Sequence, residues 1–403
     1  MYCVRNVTET VYWVGSSDRR LALFENLFPI PRGVSYNSYL IQDEKTALMD
    51  TVDSSVSQQF LENIAHVLEG GSLDYLVVNH MEPDHCALIG RLLELYPQMQ
   101  VVGNTKTIQM IQQFYDADLE GRTLLVKEGD TLALGEHTLH FVTAPMVHWP
   151  EVMMAYEEKE KLLFTADAFG TFGALDGNLF NDEVDFETEW LPDARRYYTN
   201  IVGKYGAQVQ TVLKKAAGLE ISMLCPLHGP VWRSNLEWFI NKYDKWSRYE
   251  PEEKAVAVMY GSMYGNTENA ACVTASELSK AGIRNIKVYD ISSTDVSELI
   301  AEAFRCSHLV LASPTYNGGL YPKMEALLND MKALNVQGRT VGLIENGTWA
   351  PASGKLMRAA LEGMKNMTVL EPVLTVKSSL KAEQAVSSVD TLVKEIAASV
   401  LAN

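Results

Sequence analysis

Short hydrophobic runs separated by polar breaks dominate the first half of the chain. From Val11 to about Val52 three such runs follow one another, which is typical of a strand meander. Hydrophobic positions at helical spacing predict helices over 57–68 and from Leu236 to Trp246. Six later runs predict strands: LDYLVV, VVGN, TLLVKEGD, LHFVTA, KLLFTAD and SMLCPLHG. Several of these runs end at a polar residue, which indicates that one rim of a sheet carries a shared site.

The second half alternates regularly between strand-like and helix-like segments. Five short hydrophobic runs predict strands: AVAVMY, IKVYDI, HLVLAS, TVGLIE and MTVLEP. Amphipathic segments of helical length lie at 267–281, 294–304, 322–334, 354–365 and 380–401. This alternation predicts a doubly wound parallel sheet, covered by helices on both faces, with the strand order 2-1-3-4-5. The charged stretch SRYEPEEK precedes it, so we predict an α/β protein with two domains, 1–250 and 254–403.

Charge and composition narrow the class of partner. Lys and Arg total 34 against 51 Asp and Glu, a formal net charge of −17 in 403 residues. Such a surface repels phosphate backbones and anionic membranes, so we expect no nucleic acid and no membrane partner. No run approaches the roughly 20 apolar residues of a membrane span or resembles a signal peptide, and the expected location is cytoplasmic. The five scattered cysteines, without a CxxC pair, argue against disulfides and against a cysteine-bound metal.

Four potential metal ligands lie within six residues, directly after the predicted strand LDYLVV. In an extended loop alternate side chains point the same way, so we expect His80, Glu82 and Asp84 to converge. His85 would turn in beside them. Imidazole and carboxylate groups suit divalent transition metals, and so dense a set fits two ions about 3.5–4 Å apart better than one. A solvated acidic turn is the simpler alternative.

Three more candidate ligands follow predicted strands further along the chain. His148 comes after LHFVTAP, Asp167 ends LLFTAD, and His228 ends SMLCPLHG. A single histidine at a strand end is usually a packed, hydrogen-bonded residue, but seven such groups point to a shared site. With Asp167 as a bridge, the seven suffice for two ions. The other histidines are expected to be structural: His66, His137, His140 and His308.

A second candidate site lies where the predicted strands of the C-terminal half end. AVAVMY runs into a loop without lysine, whose hydroxyl and amide groups, with a helix N-terminus, can hold a phosphate monoester. The loop resembles the flavodoxin phosphate loop, (S/T)-x-(T/Y)-G-N-T, which implies FMN. Two later loops follow the predicted strands HLVLAS and TVGLIE, at the edge of the sheet where doubly wound folds bind ligands. Their aromatic residues Tyr316 and Trp349 can flank a flat ring. The predicted contacts are Ser262, Met263, Tyr264, Gly265, Asn266, Thr267, Ser313, Pro314, Thr315, Tyr316, Asn317, Gly318, Glu345, Asn346, Gly347, Thr348 and Trp349.

Four motifs, taken in order, resemble the flavodiiron proteins. They are HxExDH at 80–85, AP-x-x-HWP at 144–150, DAFG at 167–170, and LHGP. The resemblance implies a metallo-β-lactamase-like αββα sandwich followed by a flavodoxin-like domain. The zinc hydrolases of that superfamily carry HxHxDH, and the additional oxygen donor of Glu82 favours iron.

The resemblance also implies roles for single residues. One iron would bind His80, Glu82 and His148, the other would bind Asp84, His85 and His228, and Asp167 would bridge them. Tyr197 matches a family segment near the irons, so it can act there through a hydrogen bond or serve only in packing. Glu25 is a departure, because many members have histidine at this position, and residues there shape the substrate pocket.

The implied reaction is reduction of a small gas. Electrons would pass through FMN to two irons, which reduce O2 to water, NO to N2O, or both. The resemblance further implies a head-to-tail homodimer or a dimer of dimers, and rubredoxin as a separate electron-donor protein, with reduced deazaflavin serving some members. Two alternatives stay open: a zinc-dependent metallo-hydrolase carrying a flavodoxin-like module, and an electron carrier whose metal half is structural.

Overall fold

The chain forms two compact units, Met1–Asp244 and Lys245–Asn403. The computed structural model describes residues 1–402, apart from the side chains of residues 384–386. Each unit contains its own sheets and helices. Within residues 1–402 no helix combines the length and the apolar character that a membrane crossing requires.

Two mixed sheets form the framework of the first unit. Its strands are β1 Arg5–Asn6, β2 Val11–Trp13, β3 Ser16–Asp18, β4 Leu23–Phe24, β5 Phe28–Pro29, β6 Val34–Tyr36, β7 Tyr39–Ile41, β8 Ala47–Met49, β9 Tyr75–Val77, β10 Gln100–Gly103, β11 Thr123–Leu125, β12 Thr131–Ala133, β13 Thr138–Thr143, β14 Met153–Glu157, β15 Leu162–Phe164 and β16 Met223–Cys225. One sheet has the order β1-β2-β7-β8-β9-β10-β11, and the other has the order β12-β13-β14-β15-β16. The rings of Tyr39 and Phe164, one from each sheet, pack with centroids 5.3 Å apart, so both sheets contribute to one core.

The helices of the first unit connect these strands. They are α1 Ser57–Leu68, α2 Pro83–Cys86, α3 Ile89–Leu95, α4 Thr105–Phe114, α5 Leu191–Tyr197, α6 Gly206–Ala216 and α7 Leu236–Ser247. Short 3-10 turns lie at Ser54–Val56, Asn181–Glu183 and Gly203–Tyr205, and π turns lie at Phe186–Trp190 and Tyr198–Val202. Helix α1 covers the predicted residues 57–68, and its buried Phe60, Ile64 and Val67 have the spacing of one helix face.

The segment that carries the first candidate ligands is only partly extended, contrary to the prediction of an extended loop. Glu82 is extended, at φ −65° and ψ 141°, but Pro83–Cys86 form the helical turn α2. Proline is favoured at the first position of a helix because its missing N–H is not needed there. Successive side chains of a helical turn are rotated by about 100°, so Glu82 and Asp84 are directed to different ligand groups. His80 and Glu82 share one ligand group and Asp84 belongs to the adjacent group, so the three side chains reach one site without meeting at a single point.

A sheet of five parallel strands and one short antiparallel strand, with intervening helices, forms the second unit. Its strands are β17 Glu253–Tyr260, β18 Ile286–Asp290, β19 Cys306–Tyr316, β20 Gly319–Leu320, β21 Thr340–Asn346 and β22 Thr368–Val376. Its helices are α8 Asn266–Lys280, α9 Val296–Arg305, α10 Pro322–Ala333, α11 Ser353–Glu362, α12 Ala382–Gln384 and α13 Asp390–Ala402, with a π turn at Ala385–Val389. The parallel strands follow the order β18-β17-β19-β21-β22, which confirms the predicted order 2-1-3-4-5. Val256 and Val258 of β17 are buried in a core with Leu392 and Ile396 of α13.

Candidate metal centre and cofactor cavity

The candidate metal ligands lie in loops, and in the helical turn α2, that follow strands of both sheets of the first unit. His80 comes after β9, His148 lies between β13 and β14, Asp167 follows β15, and His228 follows β16. Strand ends that meet at one rim bring together side chains that are far apart in sequence. All seven predicted residues lie in two adjacent buried groups.

Asp50 holds the start of the ligand loop. It follows β8 directly and is fully buried. Its Oδ1 accepts the backbone N–H groups of Asn79 at 2.7 Å and His80 at 3.0 Å, and its Oδ2 accepts the side-chain amide of Asn79 at 2.8 Å. Burial raises the pKa of Asp50 to about 6, although the bonds from Asn79 oppose the rise. Asp50 was not among the predicted site residues, yet it ends an apolar strand as Asp167 does.

The first group consists of His80, Glu82, His148 and Asp167, whose ligand atoms lie within 4.8 Å of one another. Nε2 of His148 is 3.0 Å from Oε2 of Glu82 and 3.1 Å from Oδ2 of Asp167. Nε2 of His80 is 3.3 Å from each of the same two oxygens. Two imidazole nitrogens and two carboxylate oxygens therefore face a common point.

The second group consists of Asp84, His85 and His228. The Nε2 atoms of His85 and His228 are 3.0 Å apart, and each lies 3.4 Å from Oδ2 of Asp84. The Nδ1–H of His228 donates to the carbonyl oxygen of Ser35 at 2.7 Å. Since a carbonyl only accepts, the proton is on Nδ1 and the lone pair of Nε2 points into the group.

Asp167 lies between the two groups. Its Oδ2 faces His80 and His148, whereas its Oδ1 is 3.1 Å from Nε2 of His85 and 3.7 Å from Nε2 of His228. A carboxylate that directs one oxygen to each of two ligand sets has the arrangement of a bridging ligand in a two-metal site. The arrangement therefore fits two ions held side by side.

Electrostatics at the cluster favour positive charge. Burial by itself lowers the pKa of an imidazole, yet the Asp167 carboxylate and hydrogen bonds from neighbouring carboxylates raise the pKa of His80 well above its usual value. Hydrogen bonds to Asp167 and Glu82 likewise outweigh burial and raise the pKa of His148 to about 9. Both carboxylate oxygens of Asp84 and Oδ1 of Asp167 are buried without a hydrogen-bond partner among the described residues. Such atoms are costly unless something binds them, so the donor set fits metal cations.

Two further polar side chains border the cluster. Tyr197 is fully buried with its ring 5.4 Å from that of His228, and its hydroxyl has no hydrogen-bond partner within residues 1–402. Burial and the carboxylates of Asp167 and Glu82 raise the pKa of Tyr197 well above its usual value. Glu25 lies in the turn between β4 and β5 at φ 51°. Burial of its carboxyl group and the adjacent Glu82 raise the pKa of Glu25 to about 8. The Tyr197 hydroxyl and the Glu25 carboxyl can therefore each hold a proton beside the ligands.

Glu151 also contacts the cluster, and no pattern in the sequence marks it. Its Oε1 lies 2.9 Å from Nδ1 of His80 and accepts the backbone N–H of Met81 at 2.8 Å. In the sequence Glu151 directly follows the HWP motif, and no periodicity or spacing distinguishes it from a surface carboxylate. The contact joins residues 71 positions apart, so the fold alone reveals it.

A cavity of about 440 Å³ opens in the second unit beside the ends of β17, β19 and β21. It is lined by Ser262, Met263, Tyr264, Asn266, Thr267, Pro314, Thr315, Tyr316, Asn317, Gly318, Asn346, Gly347, Thr348, Trp349, Ala350 and Ser378. The volume is typical of small-molecule sites. Tyr264 and Trp349 are each 91% exposed and Tyr316 is 41% exposed. Exposed aromatic faces around one cavity fit a flat ring as ligand.

Glu345 does not face this cavity, although the sequence suggested that it would. Its Oε2 accepts the backbone N–H of Gly354 at 3.0 Å, and its Oε1 accepts the hydroxyl of Thr375 at 2.7 Å. Successive residues of a strand point to opposite faces, so Glu345 and Asn346 at the end of β21 cannot both line the cavity. Glu345 instead fixes the start of α11.

Two more predicted contacts, Ser313 and Gly265, are not among the residues that line the cavity. Ser313 is fully buried, and its hydroxyl donates to the carbonyl oxygen of Pro314 at 3.0 Å. Gly265, at φ 85°, makes the turn into α8, a conformation that favours glycine. Conversely, Ala350 and Ser378 line the cavity and were not predicted: Ala350 lies one residue beyond the predicted segment of its loop, and Ser378 follows a strand whose end was not assigned to the site.

Hydrogen bonds between the loops give the cavity its shape. Asn346 donates from Nδ2 to Oγ1 of Thr267 at 3.3 Å and to the carbonyl oxygen of Ser378 at 3.1 Å. Oγ1 of Thr315 accepts the backbone N–H of Ala352 at 2.9 Å. Loops that follow different strands are therefore held in one arrangement.

Comparison with known proteins matches both halves of the chain. Residues 34–229 match the family described as ODP family beta lactamase, and residues 258–389 match Flavodoxin. The anaerobic nitric oxide reductase flavorubredoxin of Aliivibrio fischeri is 34% identical over 354 residues, covering 85% of this chain and 70% of that protein. The flavodiiron protein of Giardia intestinalis has a TM-score of 0.92 at 27% identity, covering 99% of this chain and 97% of that one. The rubredoxin oxygen:oxidoreductase of Desulfovibrio gigas has a TM-score of 0.91 at 28% identity, covering 99% of both chains.

Fold and site together define a class of protein in which a metallo-β-lactamase-like domain is joined to a flavodoxin domain. Within that class, the chain belongs to the flavodiiron protein family. The fold that the sequence predicted, a metallo-β-lactamase-like domain followed by a flavodoxin-like parallel sheet, is confirmed.

Proposed function

We propose that this protein is an oxidoreductase that takes electrons through FMN to a non-haem diiron centre and reduces O2 to water, NO to N2O, or both. One observation carries the proposal: Asp167 directs one oxygen to each of two ligand groups. The same chain contains a flavodoxin domain with a cavity at its strand ends. Relatives named as a nitric oxide reductase and as a rubredoxin oxygen:oxidoreductase support this class of reaction.

The metal ligands in this proposal are the seven clustered residues. His80, Glu82 and His148 would hold one iron, Asp84, His85 and His228 would hold the other, and Asp167 would contribute an oxygen to each. A mixed set of imidazole and carboxylate donors suits iron, whereas the additional imidazole of the zinc hydrolases is replaced here by Glu82. When bound, the iron pair supplies a redox-active position for a diatomic gas. This donor set is the reason for preferring an oxidoreductase to a zinc hydrolase.

Residues around the ligands control water and protons. The rings of Phe24 and Tyr36 lie 5.5 Å and 5.8 Å from that of His228, and both side chains are buried. They pack ring surface against His228 and help to keep bulk water away from the metal ligands. The hydroxyl of Tyr197 keeps its proton, because its pKa is raised, and it is free to donate a hydrogen bond beside Asp167.

The loop after β17 is suited to the phosphate of FMN. Oγ of Ser262 accepts the backbone N–H of Gly265 at 3.0 Å, and α8 begins at the next residue, Asn266. Backbone N–H groups at a helix start bind a phosphate dianion without lysine. Trp349 and Tyr316 offer ring faces to the isoalloxazine. The bound flavin supplies the ability to take up electrons in pairs and release them singly.

We assign the diiron domain to residues 1–250 and the FMN domain to residues 254–403, in a cytoplasmic protein. We further propose rubredoxin as the electron donor, which the names of the two kinds of relative support. A head-to-tail homodimer, alone or paired as a dimer of dimers, would bring FMN of one chain to the irons of the other. Dilution below the dimer dissociation constant should then lower turnover per chain while both cofactors stay bound. A fully active monomeric variant would contradict the homodimer.

The test of the function is anaerobic reduction of the iron- and FMN-loaded chain, followed by mixing with O2 or NO. We expect gas consumption together with reoxidation of the flavin. Asp167→Asn, which keeps the volume and removes the bridging charge, should retain FMN but lose iron and gas consumption. Two zinc ions per chain with esterase activity and no flavin would identify a hydrolase. Reduced, fully loaded protein that consumes neither gas would identify an electron carrier.

A further inference from the structure

Glu151 is a buried carboxylate that contacts the metal cluster and is not one of the seven ligands. It is 1% exposed and follows the HWP motif in the loop before β14. Oε1 accepts two hydrogen bonds, from Nδ1–H of His80 at 2.9 Å and from the backbone N–H of Met81 at 2.8 Å. Oε2 is buried and has no hydrogen-bond partner among residues 1–402. The hydrogen bonds of the Glu151 side chain are therefore made to the His80 imidazole and to the backbone beside it.

These contacts determine the tautomer and the direction of His80. A carboxylate oxygen that already accepts from Met81 accepts from His80 as well, so the imidazole proton is on Nδ1. The lone pair of Nε2 then points toward Glu82 and Asp167, whose oxygens lie 3.3 Å away. A carboxylate on the remote nitrogen of a ligating histidine orients the ring and makes the ligating nitrogen more basic.

Among the described residues, carboxylate support of this kind is seen for His80 of the first ligand group. In the second group, Nδ1–H of His228 donates to the neutral carbonyl of Ser35, and Nδ1 of His85 is buried without a hydrogen-bond partner in the described chain. Among the hydrogen bonds of the described residues, the bond from His80 to Glu151 is the one that joins Nδ1 of a candidate ligand to a carboxylate. The two groups therefore differ in whether a carboxylate accepts the Nδ1–H of a ligand histidine.

We propose that Glu151 is a positioning residue that makes the two metal sites unequal. It fixes His80 and strengthens the bond of this histidine to the ion shared with Glu82 and His148. The inference rests on the proposed function, because it presumes iron at both groups. The ion of the first group should therefore dissociate more slowly than it would without Glu151, whereas the ion of the second group should be unaffected.

Two substitutions separate the charge of Glu151 from its hydrogen bonds. Glu151→Gln keeps the volume and an oxygen for His80 and Met81, and its NH2 group takes the place of the unpartnered Oε2. Glu151→Ala removes both the charge and the two hydrogen bonds. Loss of these partners typically costs 10–100-fold in metal affinity, so we expect one ferrous ion to leave about 10-fold faster in the Gln variant and about 100-fold faster in the Ala variant.

Two readouts that do not depend on turnover measure the effect. The first is anaerobic transfer of ferrous iron from the loaded chain to a chelator, followed as two kinetic phases. The second is the Mössbauer spectrum of the iron-57-loaded protein, in which one of two iron signals should change and the other should not. A general loosening of the fold would instead alter both phases and both signals.

The chain offers a matched control in another buried histidine–glutamate pair. Nδ1 of His137 lies 2.9 Å from Oε1 of Glu157, and the two residues are 1% and 0% exposed. Glu157 also accepts the backbone N–H groups of Lys159 and Glu160, both at 2.8 Å, so Glu157→Gln should cost more stability than Glu151→Gln. It should nevertheless leave both iron phases unchanged.

The outcomes separate the inference from the function on which it rests. Unchanged phases and signals in both Glu151 variants would overturn the positioning role and leave the proposed function intact. The positioning role would also be overturned if Glu157→Gln accelerated iron loss as much as Glu151→Gln did. Wild-type protein that does not bind two irons would overturn both proposals.

Discussion

His308 is a buried histidine that takes no part in either site and makes the second unit sensitive to acid. Its Nδ1 is 2.8 Å from Oγ of Ser307 and its Nε2 is 2.9 Å from Oγ of Ser399. Burial lowers the pKa of His308 from 6.5 to about 4. The unfolded chain therefore binds this proton at higher pH than the folded chain. The stability that neutral His308 contributes is complete above pH 6.5 and is lost as the pH falls toward 4, by up to about 3 kcal/mol.

We expect His308→Gln to flatten this part of the pH dependence, because glutamine does not titrate. Urea unfolding of the FMN-loaded chain between about pH 7.5 and 4.5, followed by flavin fluorescence, measures the difference. Ser399→Ala removes one hydrogen bond and keeps the imidazole. The free energy of unfolding of this variant should therefore be lower at every pH, while its dependence on pH stays the same. Parallel curves for the wild type and His308→Gln would contradict the assignment.

At the scale of single residues, predictability from the sequence depended on position relative to a strand. The metal ligands were recognisable because polar side chains such as Asp167 and His228 end apolar runs, and Asp50 carries the same mark. Glu151 carries none, since its role arises from a contact with a residue 71 positions away. The local pattern therefore predicts the ligands, but it does not predict the residue that supports one of them.

At the scale of elements, Gly347 sets the path of the loop that follows β21. A Cβ atom on Gly347 would lie 2.7 Å from Cα and 2.9 Å from N of Pro351, which are backbone atoms that cannot rotate away. Gly347→Ala should displace the cavity wall and weaken FMN binding by at least about 10-fold, or 1.4 kcal/mol. Gly319→Ala is the control, because its Cβ would lie 3.5 Å from the carbonyl oxygen of Tyr316, an ordinary contact. Fluorescence titration of the deflavinated chain measures both, and equal affinities would refute the role of Gly347.

Regular elements were predictable where local periodicity and tertiary packing agree. Helix α1 and the strand order 2-1-3-4-5 were foreseen, since their hydrophobic spacing matches the faces that the fold buries. The turn α2 was not foreseen, because four residues are too few to show a period and Pro83 is as compatible with an extended loop as with a helix start. The direction of the Glu345 side chain was also missed. Successive side chains of a strand point to opposite faces, so the direction of the last ones cannot be predicted without knowing at which residue the strand ends.

At the scale of the whole molecule, each half has its own periodicity, its own core and its own candidate site. This separation explains why both cofactors could be predicted from the sequence. Strand ends with carboxylates and imidazoles indicated metals in one half, and a phosphate loop before a helix indicated a flavin in the other. The net charge of −17 favours association with a partner that presents a basic face, because such a partner would be steered toward this surface.

Metal removal should act on one unit and spare the other, because the ligands all lie in Met1–Asp244. An ion that binds only the folded chain stabilises it by about 2.7 kcal/mol when present at 100 times its dissociation constant. Without iron, the buried oxygens of Asp84 and Asp167 lack partners, so chelation should lower the melting temperature of the first unit. Calorimetry of the FMN-loaded chain with and without a chelator should therefore show one transition moving down while the transition that releases flavin stays in place. Removal of FMN should have the reciprocal effect. A single transition that follows both cofactors equally would show that the two units unfold together, and the stabilities of their sites would then be coupled.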